Sequence, residues 1–142
     1  MWDNPAVDDA IARYRASSEV NDIDGMMATL ADNAELISPL SGRMVFRGKD
    51  DLRTLVTVIY GSLKGLRWRE ELGEGSLRLV TGEARVGPVK LGDAMVCEMA
   101  EDGRILRIRP YIRPWIGLTV LALKIAPKMA RHPAVLLRAL RG

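Results

Sequence analysis

The chain has 142 residues, enough for a single domain that buries roughly 68–70% of its unfolded surface without help from metal or disulfide. Apolar residues make up 48% and charged residues 27%, which argues against both a disordered chain and an integral membrane protein. The net charge of +3 is unevenly laid out. Residues 1–102 hold 12 basic and 18 acidic groups, whereas residues 103–142 hold nine basic groups and no acid, a split that marks an interaction end.

In chain order, Val7, Ala10, Ile11 and Tyr14 share one helical stripe, with Asn4 and Pro5 as the expected cap and first position of a helix ending near Val20. Ile23, Met26, Met27 and Leu30 predict a second helix, capped by Asn21 or Asp22. AELISPLSGRMVF, broken by Pro39 and Gly42, reads as a short hairpin. Leu52, Leu55, Val56 and Ile59 predict a third helix, capped by Asp50 and running to about Ser62.

From Leu66 the period changes to two, placing Leu66, Trp68, Glu70 and Leu72 on one strand face. Further strands are expected at Leu77–Arg85, Val89–Met99 and Arg104–Tyr111, with a hairpin turn at Glu101–Gly103. Four strands in hairpin succession after three helices predict an α+β fold in which a curved antiparallel sheet packs against the helices.

RYRASSEVNDIDGMMATLADNAELISP, then FRGKDDL, then EMAEDGRILRIRPY, resembles the nuclear transport factor two-like superfamily, in particular its SnoaL-like and ketosteroid-isomerase-like branch. The matching features are the acidic, Gly-containing start of the second helix (Asn21 to Gly25), Ser38-Pro39, the helix entry from Arg47 to Leu52, and the hairpin closed by Asp102 to Ile105. The resemblance covers about residues 6–113. It implies residues 1–113 as a cone-shaped α+β domain, commonly a homodimer, with an apolar pocket between sheet and helices. It implies no single activity, so function has to be argued from the site.

The resemblance places Tyr14 where ketosteroid isomerases carry an oxyanion-stabilising tyrosine, although a core phenol with one hydrogen bond would sit there equally well. Ser38 stands where those enzymes carry the proton-shuttling aspartate. A hydroxyl is no general base near neutral pH without a partner, so Ser38 is read as a ligand-binding group or as a polar strand end. Their protonated acid aligns with Met95, and Asp93 lies two residues earlier on the same face, about 7 Å along the strand.

Glu70, if it faces inward among Leu66, Trp68 and Leu72, gains a raised pKa and can act as acid or base. Glu83 and Arg85 match one half of the paired-carboxylate set of limonene-epoxide-hydrolase relatives, but the other half falls on Pro110, so they are read as decoration of an exposed strand. Met95, Cys97 and Met99 share one strand face and, with Trp68, are expected to line a pocket. The single cysteine, Cys97, cannot form an intramolecular disulfide, and the only histidine, His132, is far from it in sequence. No spacing suits a metal or nucleotide, so no cofactor is expected. The acidic start MWDNPAVDDA lacks the pattern of an export signal, and a cytoplasmic location is expected.

Residues 114–142 read as a basic, amphipathic helical extension that serves as a lid, a subunit contact or an anchor on an anionic membrane surface, with nucleic acid ranked last. Two functions follow. The first is a cofactor-independent isomerase, cyclase or hydrolase acting on an apolar small molecule, with Glu70 or Asp93 moving the proton and Tyr14 stabilising the oxygen. The second is a non-catalytic carrier of hydrophobic ligands, peripheral to the membrane.

Overall fold

The computed structural model describes residues 9–141. Helix α1 spans Ala10–Glu19, and Asp9 caps it by accepting from the Ile11 N–H at 3.1 Å. The expected cap at Asn4 and Pro5 lies outside the described residues. Helix α2 (Ile23–Ala28) is capped by Asp22, which accepts from the Gly25 N–H at 3.0 Å. Gly25 leaves room for that carboxylate, since a Cβ there would lie 2.5 Å from both Asp22 Oδ2 and Ser17 Oγ and would make the two side chains shift. Leu30, expected as the last residue of the α2 stripe, instead opens strand β1 (Leu30–Ile37).

Strand β2 (Val45–Arg47) pairs antiparallel with β1, as the hairpin reading expected. Helix α3 spans Lys49–Ser62, with Gly48 at φ 85° as its N-cap in place of the expected Asp50. Strands β3 (Lys64–Leu72), β4 (Leu77–Val86), β5 (Val89–Met99) and β6 (Ile105–Arg113) then run as successive antiparallel neighbours.

One pairing departs from the all-antiparallel expectation. β1 lies parallel to β6, joining Leu30 to Ile105 and Leu36 to Ile108, so the sheet has six strands in the order β2-β1-β6-β5-β4-β3. A parallel pair requires a long crossover, and everything from β2 to β5 supplies it. The three N-terminal helices cover the inner face of this curved sheet. There Ile11, Met26, Leu52 and Val56 meet Val80, Val86, Cys97 and Ile105 in a continuous core.

The C-terminal segment forms two helices where one was expected: α4 (Trp115–Met129) and α5 (Pro133–Arg141). α4 continues through Pro127, and the chain breaks only at Ala130–His132, with Pro133 at the first position of α5. Gly117 lets α4 approach β5 closely, because a Cβ there would be 2.9 Å from Leu91 Cβ and 3.1 Å from the Lys90 carbonyl oxygen. α5 is held to α3 by a two-pronged ion pair, Arg138 Nε and Nη2 to the Asp51 carboxylate, both at 2.8 Å.

Candidate functional site

Between the sheet and the helices lies a cavity of about 250 Å³, walled almost wholly by apolar side chains. Its closed end is built from three elements. Tyr14 reaches it from the inner stripe of α1, Tyr60 from the last turn of α3, and Trp68 from β3. α4 and α5 cover the cavity with Leu118, Leu121, Ile125, Met129 and Leu136.

Trp68 is pinned by sequence-distant partners. Its indole N–H donates to Ser18 Oγ at 2.8 Å, and its main-chain N–H donates to Glu19 Oε2 at 2.8 Å. The ring lies flat over Gly82, where a Cβ would come within 2.6 Å of Cε3, so only glycine admits the indole.

The two tyrosine hydroxyls are 2.7 Å apart, with the rings edge to face at 6.2 Å between centroids. Burial raises both phenol pKa values well above the ordinary tyrosine value, and a charge on Asp93 would raise them further. Both therefore stay protonated at neutral pH and act as donors. One hydroxyl of the pair donates to the other, which leaves the second proton free for a ligand oxygen.

Asp93 lies on the inward face of β5 between Leu91 and Met95. Its Oδ1 is enclosed and has no hydrogen-bond partner. Burial pushes its pKa from 3.8 up to about 7, against a smaller opposing effect from a main-chain hydrogen bond with Tyr111. A carboxyl poised there is half-ionised at neutral pH and can either take or give a proton.

Ser38 and Met95 also line the cavity. The Ser38 oxygen accepts from the Leu40 N–H at 3.1 Å and so helps to turn the chain after β1.

Glu70 is not in the cavity. A β-bulge between Trp68 and Glu70 breaks the alternation that would have turned it inward; Glu70 is exposed on the outer face, with Thr81 Oγ1 donating to its Oε1 at 3.2 Å. Glu71 takes the inner direction instead, paired with Arg15 of α1 at 3.0 Å and also with Arg78. Cys97 and Met99 share the Asp93 face but do not line the cavity. Cys97 is fully buried in the core, where burial pushes its thiol up to about 12, and Met99 packs against that core. Glu83 is exposed and paired with Arg69 at 3.1 Å, as expected of an outer-strand residue.

Tyr60 is the site residue that periodicity missed. It stands four residues after Val56 and eight after Leu52, so it continues the inner stripe of α3 by one more turn. Among the described residues no cluster of three or more His, Cys, Asp or Glu is arranged to hold a metal ion.

No family model matches the chain, and no curated protein matches it by sequence. Solved structures do match its shape. A protein with a cystatin-like fold from Silicibacter pomeroyi superimposes with a TM-score of 0.84 at 20% identity, over 92% of this chain and 93% of that one. A steroid delta-isomerase from Pseudomonas aeruginosa gives 0.78 at 20% identity, over 88% and 92%. An NTF-2 like protein of unknown function from Burkholderia xenovorans gives 0.66 at 21% identity, over 72% and 79%. The first two shares exceed what residues 1–113 can supply, so those likenesses extend into the C-terminal segment. The fold is that of the nuclear transport factor two-like superfamily.

Proposed function

We propose that this chain of nuclear transport factor two-like fold is a cofactor-independent enzyme that moves a proton on an apolar, oxygen-bearing small molecule. One observation carries the proposal: an enclosed carboxyl with an unpartnered oxygen, Asp93, opens into the same apolar cavity as a hydrogen-bonded tyrosine pair.

In this reading a ketone enters with its oxygen toward Tyr14. Asp93, as the carboxylate, takes a proton from the carbon next to the carbonyl. The electron pair of that C–H bond moves onto the oxygen, and Tyr14, taken as the acceptor in its hydrogen bond with Tyr60, donates to the enolate as charge develops. Asp93 returns its proton to the same carbon or to another along the conjugated system, giving back the starting ketone or its isomer. The apolar walls favour the reaction by keeping Asp93 weakly acidic and water scarce.

The likeness to a steroid delta-isomerase supports this class of reaction. The chemistry nevertheless departs from the pattern of that family, with serine at position 38 and the proton assigned to Asp93. A paired-carboxylate hydrolysis is less well supported, because Glu70 lies outside the cavity and Glu83, at its edge, is exposed and paired with Arg69.

The test is hydrogen–deuterium exchange at the α-carbon of a panel of apolar cyclic ketones, followed by mass spectrometry. The wild-type protein is expected to accelerate exchange. Asp93→Asn should lower the rate by about 10²–10⁴-fold, the usual worth of a positioned acid or base, and Tyr14→Phe should lower it while the ketone still binds. Exchange that persists in Asp93→Asn, or no exchange with any ketone that binds, overturns the proposal.

A further inference from the structure

A helix packed on the surface of a soluble domain ordinarily turns polar residues outward, and α4 does not. Leu118, Leu121, Ile125 and Met129 point down into the cavity. The opposite side is also apolar, with Trp115 75% exposed, Ile116 48% and Leu123 69%. α5 repeats the pattern: Val135 is buried and Leu136 lines the cavity, while Leu137 and Leu140 are exposed. Half of the large hydrophobic side chains exposed on the described surface thus fall in these two helices.

The charges carried by these two helices have one sign. Lys124, Lys128, Arg131, Arg138 and Arg141 are the charged residues of the segment, and it has no acid. Among the described residues only Arg138 of these five is in an ion pair, with Asp51. Arg43, in the loop beside the cavity residues Leu40 and Met44, is exposed and adds to the same sign.

We infer that α4 and α5 lay their outer faces on an anionic bilayer surface, with Trp115, Ile116, Leu123, Leu137 and Leu140 entering the interface and the basic side chains meeting the lipid headgroups. Such a surface supplies both an apolar layer and negative charge, which are the two things this patch lacks. A second copy of the chain supplies only the first: a two-fold contact through α4 and α5 would bring basic side chains of the two copies together with no carboxylate from either helix between them. No helix among the described residues is long and apolar enough to cross a membrane, and α4 at 15 residues fits a surface location.

The inner faces of the same helices roof the cavity, so docking brings the roof against the lipid. That this delivers an apolar ligand to Asp93 rests on the proposed function; the docking does not.

The experiment is co-sedimentation of the full chain with phosphatidylcholine vesicles, with and without phosphatidylglycerol. The chain is expected to sediment with the anionic vesicles, to be released by salt, and to remain in solution with phosphatidylcholine alone. Leu123→Asp, at an exposed position that lines no cavity, should reduce the bound fraction by about tenfold. The pair Lys124→Glu with Arg131→Glu should do the same should Leu123→Asp fail to fold.

Failure to sediment with anionic vesicles, sedimentation indifferent to phosphatidylglycerol, or binding unchanged in the folded variants overturns the inference. So does a Leu123→Asp effect confined to dissociating a dimer. Ketone binding measured without vesicles separates the two readings: it should survive Leu123→Asp, and its absence in a wild-type protein that still sediments with anionic vesicles would sink the enzymatic reading alone.

Discussion

At the closed end of the cavity, polar ties join stretches of chain far apart in sequence: Tyr14 to Tyr60, and Trp68 to Ser18 and Glu19. At the roof, among the described residues, two such ties join α4 and α5 to the body, Asp51 with Arg138 and Lys128 with Ser62, the latter at 3.2 Å. The tyrosine pair stands where the ties hold the base together, and the groups that admit or exclude a ligand stand on helices held by ties at Asp51 and Ser62. Local opening free energies in a protein span from near zero to the global value, so the roof can lift without loosening the tyrosine pair.

Trp68→Ala breaks the comparison most severely. It removes a large buried side chain, leaves Ser18 Oγ without the indole donor and opens space over Gly82, and should cost about 3–5 kcal/mol in urea unfolding. Asp93→Asn should have the opposite sign. The folded carboxyl titrates near 7 against 3.8 unfolded, so between those values the native state holds the proton more tightly and stability falls as pH rises. Above pH 7 the loss amounts to roughly 4 kcal/mol, from about three units at 1.36 kcal/mol each. The asparagine variant should therefore be more stable than wild type at pH 8, by a margin that vanishes below pH 4, as thermal unfolding at the two pH values would read.

The smallest effect is at the roof. Asp51→Asn should raise amide hydrogen exchange in α5 while leaving α1 unchanged. The Arg138 guanidinium holds the Asp51 carboxyl below its ordinary value, so the wild-type tie is present at neutral pH and is lost only as pH falls through that lowered value. Equal loosening of α1 and α5 would show that the two regions open together.

Most elements were legible because their periods are clean. The alternation from Val89 to Met99 delimits β5 to the residue, and Asp93, Met95 and Cys97 fall on one face as alternation requires. What periodicity could not carry was a break in itself. The extra residue between Trp68 and Glu70 leaves no mark in composition, yet it sends Glu70 out and Glu71 in. The parallel pairing of β1 with β6 was hidden for another reason: it joins segments some 75 residues apart, and local patterning says nothing about partners at that range. For α4 the signal was visible but ambiguous. A stretch apolar on nearly every side states that two faces need partners without saying that one of them is the molecule's own cavity.

The bulge in β3 has a consequence for how this scaffold can change. An added residue bends and twists its strand, and β3 carries two register shifts along the wall of the hollow, one between Lys64 and Arg67 and one beside Trp68. Excising Arg69 would restore even pairing from Trp68 to Leu72 and straighten that stretch of the wall while leaving Glu71 on its present side. Cavity volume in such a cup is therefore adjustable in one-residue steps along a rim strand, and a descendant with a shallower bowl need not alter any group at its base.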